Sequence, residues 1–263
     1  MMLLILNRPI GPIHSLSQWH NLSLRILKIM IGVPQPSPYD ISFRLAGIPI
    51  RISPMFWIIT FVLGWGDGDF KNVAIWVGCV LFSVIVHEMG HGLTNKIFGR
   101  RPAIVLHGMG GLCFSEGPSL SSWKRVLVLF NGPLAGFIIY GIIYLTTHDR
   151  PLTDPVVREI LNNLIFINLF WGLINLIPIW PLDGGQIMGV LLQKISLRRG
   201  QELTHGLSLV VSGIGAILVY QRTEDVYLTL LLGMFAFNNF QMLQMMRHNH
   251  LLTDDSEAEW WKR

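Results

Sequence analysis

Residues 73–91, VAIWVGCVLFSVIVHEMGH, restrict this chain more than any other stretch: an uncharged apolar run, close to the length that crosses a bilayer, ends in two histidines and a glutamate. On an α-helix His87 and His91 stand four residues apart, so both imidazoles project from one face within reach of a single ion, with Glu88 beside them. Ionisable side chains at bilayer depth cost roughly 2.5–3.5 kcal/mol each on insertion scales and are usually functional. Polar residues merely finishing a helix, the plainer alternative, belong on a soluble surface. The run therefore predicts a metal site inside a membrane helix.

The rest of the chain supplies the membrane. Of its 263 residues, 51% are hydrophobic and 14% charged, too apolar a balance for an ordinary soluble domain. Six runs, 54–65, 73–98, 126–147, 160–180, 203–220 and 226–246, are candidate spans; the first is short, and its start can reach back to Ile48. The expected fold class is an all-α polytopic membrane protein of about six transmembrane helices, with small cytoplasmic-side β-hairpin or re-entrant elements. If the amino terminus is cytoplasmic, 16 of the 20 Lys and Arg residues face the cytoplasm and four face the other side. The positive-inside rule favours that orientation, and an even number of spans then puts both termini in the cytoplasm of a multi-pass protein, at the inner or plasma membrane in a prokaryote. The net charge of +4 reflects loops facing an anionic leaflet and calls for no nucleic acid. Cys79 in a span and Cys113 in a cytoplasmic loop are expected to be free thiols. MMLLILN is too short for a signal-peptide core, so no cleavable leader is expected.

Along the chain, residues 1–40 read as a cytoplasmic segment, 41–246 as the membrane domain and 247–263 as a cytoplasmic tail. Residues 22–33 suit a short amphipathic helix on the membrane surface, and Pro34, Pro36 and Pro38 a stiff linker. ISFRLAGIPIRI, residues 41–52, alternates on both sides of Ala46-Gly47 and reads as a hairpin. GDGDFK, residues 66–71, reads as a solvated turn, because it lacks the further ligands of a calcium loop. The apolar AIVLHGMGGLCF, residues 103–114, fits a two-stranded or re-entrant element turning on glycines, with Gly108, Gly110 and Gly111 as candidate substrate-contacting positions. His107 within it is a candidate fourth ligand or substrate contact, although a lone histidine is more often structural. NGPLAG, residues 131–136, places small and polar residues in the third span, where Asn131 can bond to a neighbouring helix. In NLIPIWPLDGG, residues 175–185, Pro178 and Pro181 should end the fourth span and leave Asp183 in an unwound stretch. Glycines at 206–215 and 233 are expected to serve helix packing. His248 and His250 read as part of a polar tail, and Trp260 and Trp261 as a loose end or an interfacial anchor.

Spans two and four run in the same direction. His87 lies about 21 Å along the second and Asn175 about 22 Å along the fourth, so both lie nearer the cytoplasmic face and Asp183 can return to the same depth. A catalytic zinc takes three protein ligands and one open position, and His87, His91 and Asp183 supply that count. As a loop aspartate Asp183 would simply face water.

HEMGH in one span, NLIPIWPLDGG in a later one and NGPLAG between them resemble the site-2 protease family of intramembrane zinc metalloproteases, over about residues 48–192. That resemblance implies one Zn2+ per chain on His87, His91 and Asp183, Glu88 as general base, and Asn175 beside the active site as an oxyanion stabiliser. It implies single-pass membrane proteins as substrates, in a lipid bilayer, without fixing the oligomeric state. Since a membrane helix bonds its peptide groups internally, a substrate span would have to unwind, and the edge of the 103–114 element could hold it as a strand. Unlike many members, the chain carries neither a PDZ domain nor a CBS pair, which leaves the control of substrate access open. Two other classes fit less well: a catalytically silent membrane binding protein of the same fold, and a metal transporter, which would need more polar residues on several spans.

Overall fold

The computed structural model describes residues 35–66, 68–149, 153–223 and 225–259, with side chains at 197, 198 and 248–259 excepted. The chain divides into two units, 1–37 and 38–263, and the second holds every element described below. The amphipathic stretch 22–33, Pro34 and Trp260 and Trp261 lie outside the described residues, as do the side chains of His248 and His250.

Among the described residues, four strands and seven helices follow in the order β1 (Ile41–Leu45), β2 (Ile48–Ile52), α1 (Pro54–Gly64), α2 (Phe70–Ile97), β3 (Arg101–His107), β4 (Gly110–Glu116), α3 (Ser122–Thr147), α4 (Pro155–Asn175), α5 (Asp183–Leu192), α6 (Leu197–Thr223) and α7 (Val226–Glu259). Five of the helices, α2, α3, α4, α6 and α7, are long and apolar enough to cross a membrane. Their outward faces carry Phe82, Ile138, Phe166, Val210, Ile214 and Phe237, all exposed in the isolated chain. Such faces suit lipid, and the chain is an integral membrane protein.

The sixth expected span takes a different form. α1 has only 11 residues, and Ile48–Ile52 before it is a strand rather than the start of a helix. The sheet explains the short helix. Its order is β1-β2-β3-β4, with β2 parallel to β3 and the other neighbours antiparallel. Leu106 of β3 pairs with Gly111 of β4, which lies against Glu88, and the Leu106 carbonyl accepts a hydrogen bond from Ser53 N–H at 2.9 Å. α1 therefore starts level with Glu88, partway along α2. It then rises about 16 Å beside the first half of α2, where Gly64 meets the Trp76 ring.

The 41–52 hairpin forms where alternation around Ala46-Gly47 predicts it, and of the two forms expected for 103–114 the two-stranded one is found. Ala46 (φ 49°) and Gly47 (φ 78°) make the left-handed pair a two-residue turn needs, and Lys96 Nζ on α2 donates to the Ala46 carbonyl at 2.7 Å. Ile48, Ile50, Ile52, Ile104 and Leu106 form the buried face of the sheet and pack on Val84 and Met89 of α2.

α4 stops at Asn175, earlier than the expected residue 180. Pro178 has no N–H for the Ile174 carbonyl and biases Ile177 away from the helical region, so the last turn tightens into bonds from Leu176 and Ile177 N–H to the Leu173 and Ile174 carbonyls. Asp183 is not in the unwound stretch, as expected, but is the first residue of α5. Gly184 and Gly185 lie so close to the Leu176, Ile177 and Ile179 backbone that a Cβ on either would strike it. The helical packing role expected of the α6 and α7 glycines is also corrected: a Cβ at Gly206, Gly213 or Gly233 would meet nothing, and only Gly215 touches the opposite helix, at Leu232. The buried face of α6 is instead polar, Thr204, His205, Ser208 and Ser212, while Leu203, Leu207, Val210 and Ile214 face out. α7 continues without a break to Glu259, through the stretch read as tail.

Candidate metal centre

α2 brings His87, Glu88 and His91 into the interior, where they keep 7%, 5% and 6% of their surface, and α5 adds Asp183 at 7%. His87 Nε2 lies 3.2 Å from His91 Nε2 and 3.2 Å from Asp183 Oδ2, and the third side, His91 Nε2 to Asp183 Oδ2, is 3.3 Å. Three donor atoms thus form a nearly equilateral triangle. Tetrahedral zinc with bonds of 2.0–2.1 Å separates its ligand atoms by about 3.3 Å, so the triangle has the size of one face of that polyhedron.

The protonation pattern points the same way. His91 Nδ1 lies 2.7 Å from the Val128 carbonyl of α3, which can only accept, so Nδ1 carries a proton and Nε2 is the ring nitrogen turned toward His87 and Asp183. Asp183 Oδ2 is buried and has no hydrogen-bond partner despite the two imidazole nitrogens beside it. A buried carboxylate oxygen crowded by two imidazole nitrogens needs positive charge among them, which a proton or a metal ion can supply. The donor set fits zinc: two imidazoles, one carboxylate, and room for a fourth, non-protein ligand.

Small residues let neighbouring elements close on this group. At Gly132 in NGPLAG a Cβ would collide with the His91 ring, and at Gly90 it would collide with the Asn131 carbonyl, so the backbones of α2 and α3 touch. Asn131 Nδ2 donates to Thr94 Oγ1 at 2.7 Å, the expected bond to a neighbouring helix. A turn before His87, Ser83 Oγ accepts from Asn168 Nδ2 of α4 at 2.9 Å. Asn95 reaches back to the His91 carbonyl through Nδ2 at 3.1 Å, and its Oδ1 accepts from Ser115 of β4 at 3.0 Å.

Of the other residues singled out in the sequence, Gly111 lies directly against the Glu88 carboxylate, where any Cβ would strike it. Gly110 (φ 121°) faces the Trp171 ring and Gly108 faces Met55 and Ile59 of α1, so only Gly111 touches the group. Asn175 ends α4, and its Nδ2 donates to the Trp171 carbonyl at 3.0 Å; no hydrogen bond among the described residues joins it to the cluster. His107 closes the β3–β4 turn, its Nδ1 accepting from Met109 N–H at 3.3 Å, and burial together with the Arg51 charge lowers its pKa. Its hydrogen bond is to the turn and not to the cluster. Cys79 and Cys113 are free, and burial, with Glu88 and Asp183 adding to it, pushes the Cys113 thiol far up, so that it packs as an apolar filler against Gly92. The sequence reading missed His205, Asn168 and Ser83; their one signal was polarity inside apolar runs.

Residues 147–219, which contain Asp183 but not the histidines, match the family model described as peptidase family M50. The chain is 31% identical over 180 residues to a zinc metalloprotease of Methanocaldococcus jannaschii, over 66% of this chain and 47% of the relative. It is 28% identical over 149 residues to stage IV sporulation protein FB of Bacillus subtilis, over 56% and 49%. The solved site-2 protease from Methanocaldococcus jannaschii shares the fold, with a TM-score of 0.58 at 24% identity over 78% of this chain and 95% of that one. The chain is thus similar to members of peptidase family M50 and shares its fold with a solved site-2 protease. It spans about half the length of the curated relatives it matches.

Proposed function

We propose that this chain is an intramembrane zinc metalloprotease, with one zinc ion on His87, His91 and Asp183, that hydrolyses peptide bonds within or near the membrane segments of single-pass proteins. The observation that carries this reading is the triangle of two imidazole nitrogens and an orphaned carboxylate oxygen at zinc-ligand spacing. A relative named as a zinc metalloprotease supports it. Bound zinc would supply Lewis acidity and bring the pKa of a water molecule to roughly 7.

The chain's own residues do the rest. Glu88, whose carboxylate lies within 4.8 Å of the histidine ligand atoms, takes a proton from the attacking water and passes it to the leaving amine. Asn175 uses one amide proton on Trp171, which leaves the second for a developing oxyanion, a contact worth roughly 2.7–4 kcal/mol where such donors have been removed. β4 is an edge strand with Gly111 against Glu88, so an unwound substrate segment pairing with that edge would pass the general base. β2 and α1 together form the first crossing, which makes six and keeps both termini in the cytoplasm, as the distribution of Lys and Arg favours. Ion transport gains no support from α6 and α7, because Thr204, His205, Ser208, Ser212 and Asn239 are engaged in hydrogen bonds.

The test is cleavage of a single-span protein by the purified chain in liposomes. Cleavage that a chelator stops and zinc restores is the expected result. Chelator-insensitive cleavage would overturn the zinc reading, and no cleavage with metal flux through sealed vesicles would favour a transporter.

A further inference from the structure

Asp183 owes its place to the turn before it, and that turn is gripped from outside. Between Pro178 and Pro181, Trp180 exposes a peptide N–H and a carbonyl that no helix or strand satisfies. Its N–H donates to Ser208 Oγ of α6 at 2.9 Å, and its carbonyl accepts from Asn239 Nδ2 of α7 at 2.8 Å. Asn239 is saturated: Nδ2 also donates to the Phe235 carbonyl at 2.8 Å, and Oδ1 accepts from His205 Nδ1 at 2.8 Å. The His205 ring meets the Trp180 ring edge-on at 5.5 Å between centroids. Ser208 donates onward to the Thr204 carbonyl at 2.7 Å. His205, Ser208 and Asn239 keep 5%, 0% and 1% of their surface, so water does not replace these bonds. Within the turn, Leu182 N–H bonds at 2.8 Å to the Ile179 carbonyl, the other end of the peptide unit whose Trp180 N–H is clamped, which links that unit to the residue preceding Asp183.

We propose that His205, Ser208 and Asn239 are positioning residues: a polar clamp from α6 and α7 on the Trp180 peptide that sets where Asp183 Oδ2 meets the two histidines. Irregular backbone at membrane depth must have its peptide groups satisfied by protein, and here two helices far along the chain do so. The clamp makes the metal site depend on α6 and α7, neither of which contributes a ligand. The inference rests on Asp183 being a ligand, and partners of ligands typically change metal affinity by about 10–100-fold when removed.

The experiment pairs two readouts on Asn239→Asp, which keeps the acceptor for His205 but removes the donor to Trp180, and on the milder Ser208→Ala. Ser212→Ala, which loses a bond only within α6, is the control. One readout is amide hydrogen exchange of residues 176–186 in the metal-free protein, and the other is zinc affinity. The expected result is faster exchange in that segment, with residues 84–92 unchanged, and zinc binding weaker by about tenfold or more in both clamp variants, while Ser212→Ala matches the wild type. Wild-type exchange in both variants overturns the clamp, as does equal loosening in Ser212→Ala. If the wild type itself binds no zinc, the proposed function fails and the exchange readout alone decides the clamp.

Discussion

On α2, His87 and His91 share a face through helical spacing alone, and one carbonyl, from Val128, orients a ring; Asp183 arrives by a non-helical turn whose peptide groups are bonded by side chains from α6 and α7. One half of the site is local and the other is tertiary. α2 is packed on the sheet, α3 and α4, with the Gly90–Asn131 and Gly132–His91 approaches leaving no space to adjust. The half carrying Asp183 is held by those hydrogen bonds and by Ile177, Ile179 and Leu182 packed around Leu232 and Phe235 of α7, all contacts with residues far along the chain. A site split like this has its histidines fixed within one helix, while its aspartate is placed by helices far along the chain.

The largest expected effect falls on the fixed half. Glu88→Gln removes the general base without touching a ligand atom, so cleavage should drop by at least about 100-fold while zinc per chain stays at the wild-type level. An active variant would remove Glu88 from its role. Gly132→Ala comes next: the new methyl group must displace the His91 ring or part α2 from α3, and zinc affinity should fall about 10–100-fold, measured by competition with a chromogenic chelator. Unchanged affinity would mean that the histidine half yields more easily than its packing indicates. Asn168→Ala breaks the buried bond to Ser83 away from the ligands and should cost about 1 kcal/mol of stability in denaturant unfolding with little loss of zinc. The smallest effect concerns the sheet. His107 has a folded pKa below its ordinary 6.5, so the unfolded chain takes the proton first, and stability should decline as pH falls below that value. His107→Gln should flatten the decline in thermal unfolding, and an unchanged slope would assign it to other groups.

What could be read in the sequence follows the same division. His87, Glu88 and His91 form one face by period alone, the first hairpin follows from alternation around Ala46-Gly47, and the glycines from Gly108 to Gly111 mark the turn of a second element that could be two-stranded or re-entrant, so each was visible within a dozen residues. The turn before Asp183 was legible as a break, from Pro178 and Pro181, but not as a break that starts a new helix at Asp183 itself. That needs the Gly184 and Gly185 contacts with the Leu176–Trp180 backbone, which bring together residues of one segment in a geometry no spacing rule contains. The short first span shows the limit of hydropathy: an apolar strand followed by an apolar helix looks like one run, and only the pairing of β2 with β3 reveals where the helix begins. His205 and the Asn238-Asn239 pair lie on different helices, 34 residues separating His205 from Asn239, and nothing in either stretch links the one to the other.

The most direct measurement is bound zinc per chain in mild detergent for the wild type and for Asp183→Asn, with thermal unfolding confirming that both are folded. A carboxamide has nearly the same shape but no charge, so the triangle would lose its anionic corner without losing its packing. Near-stoichiometric zinc in the wild type that falls sharply in the variant is the result this account predicts. Full retention of zinc by a folded Asp183→Asn protein would contradict it, because the third corner of the site would then lie elsewhere.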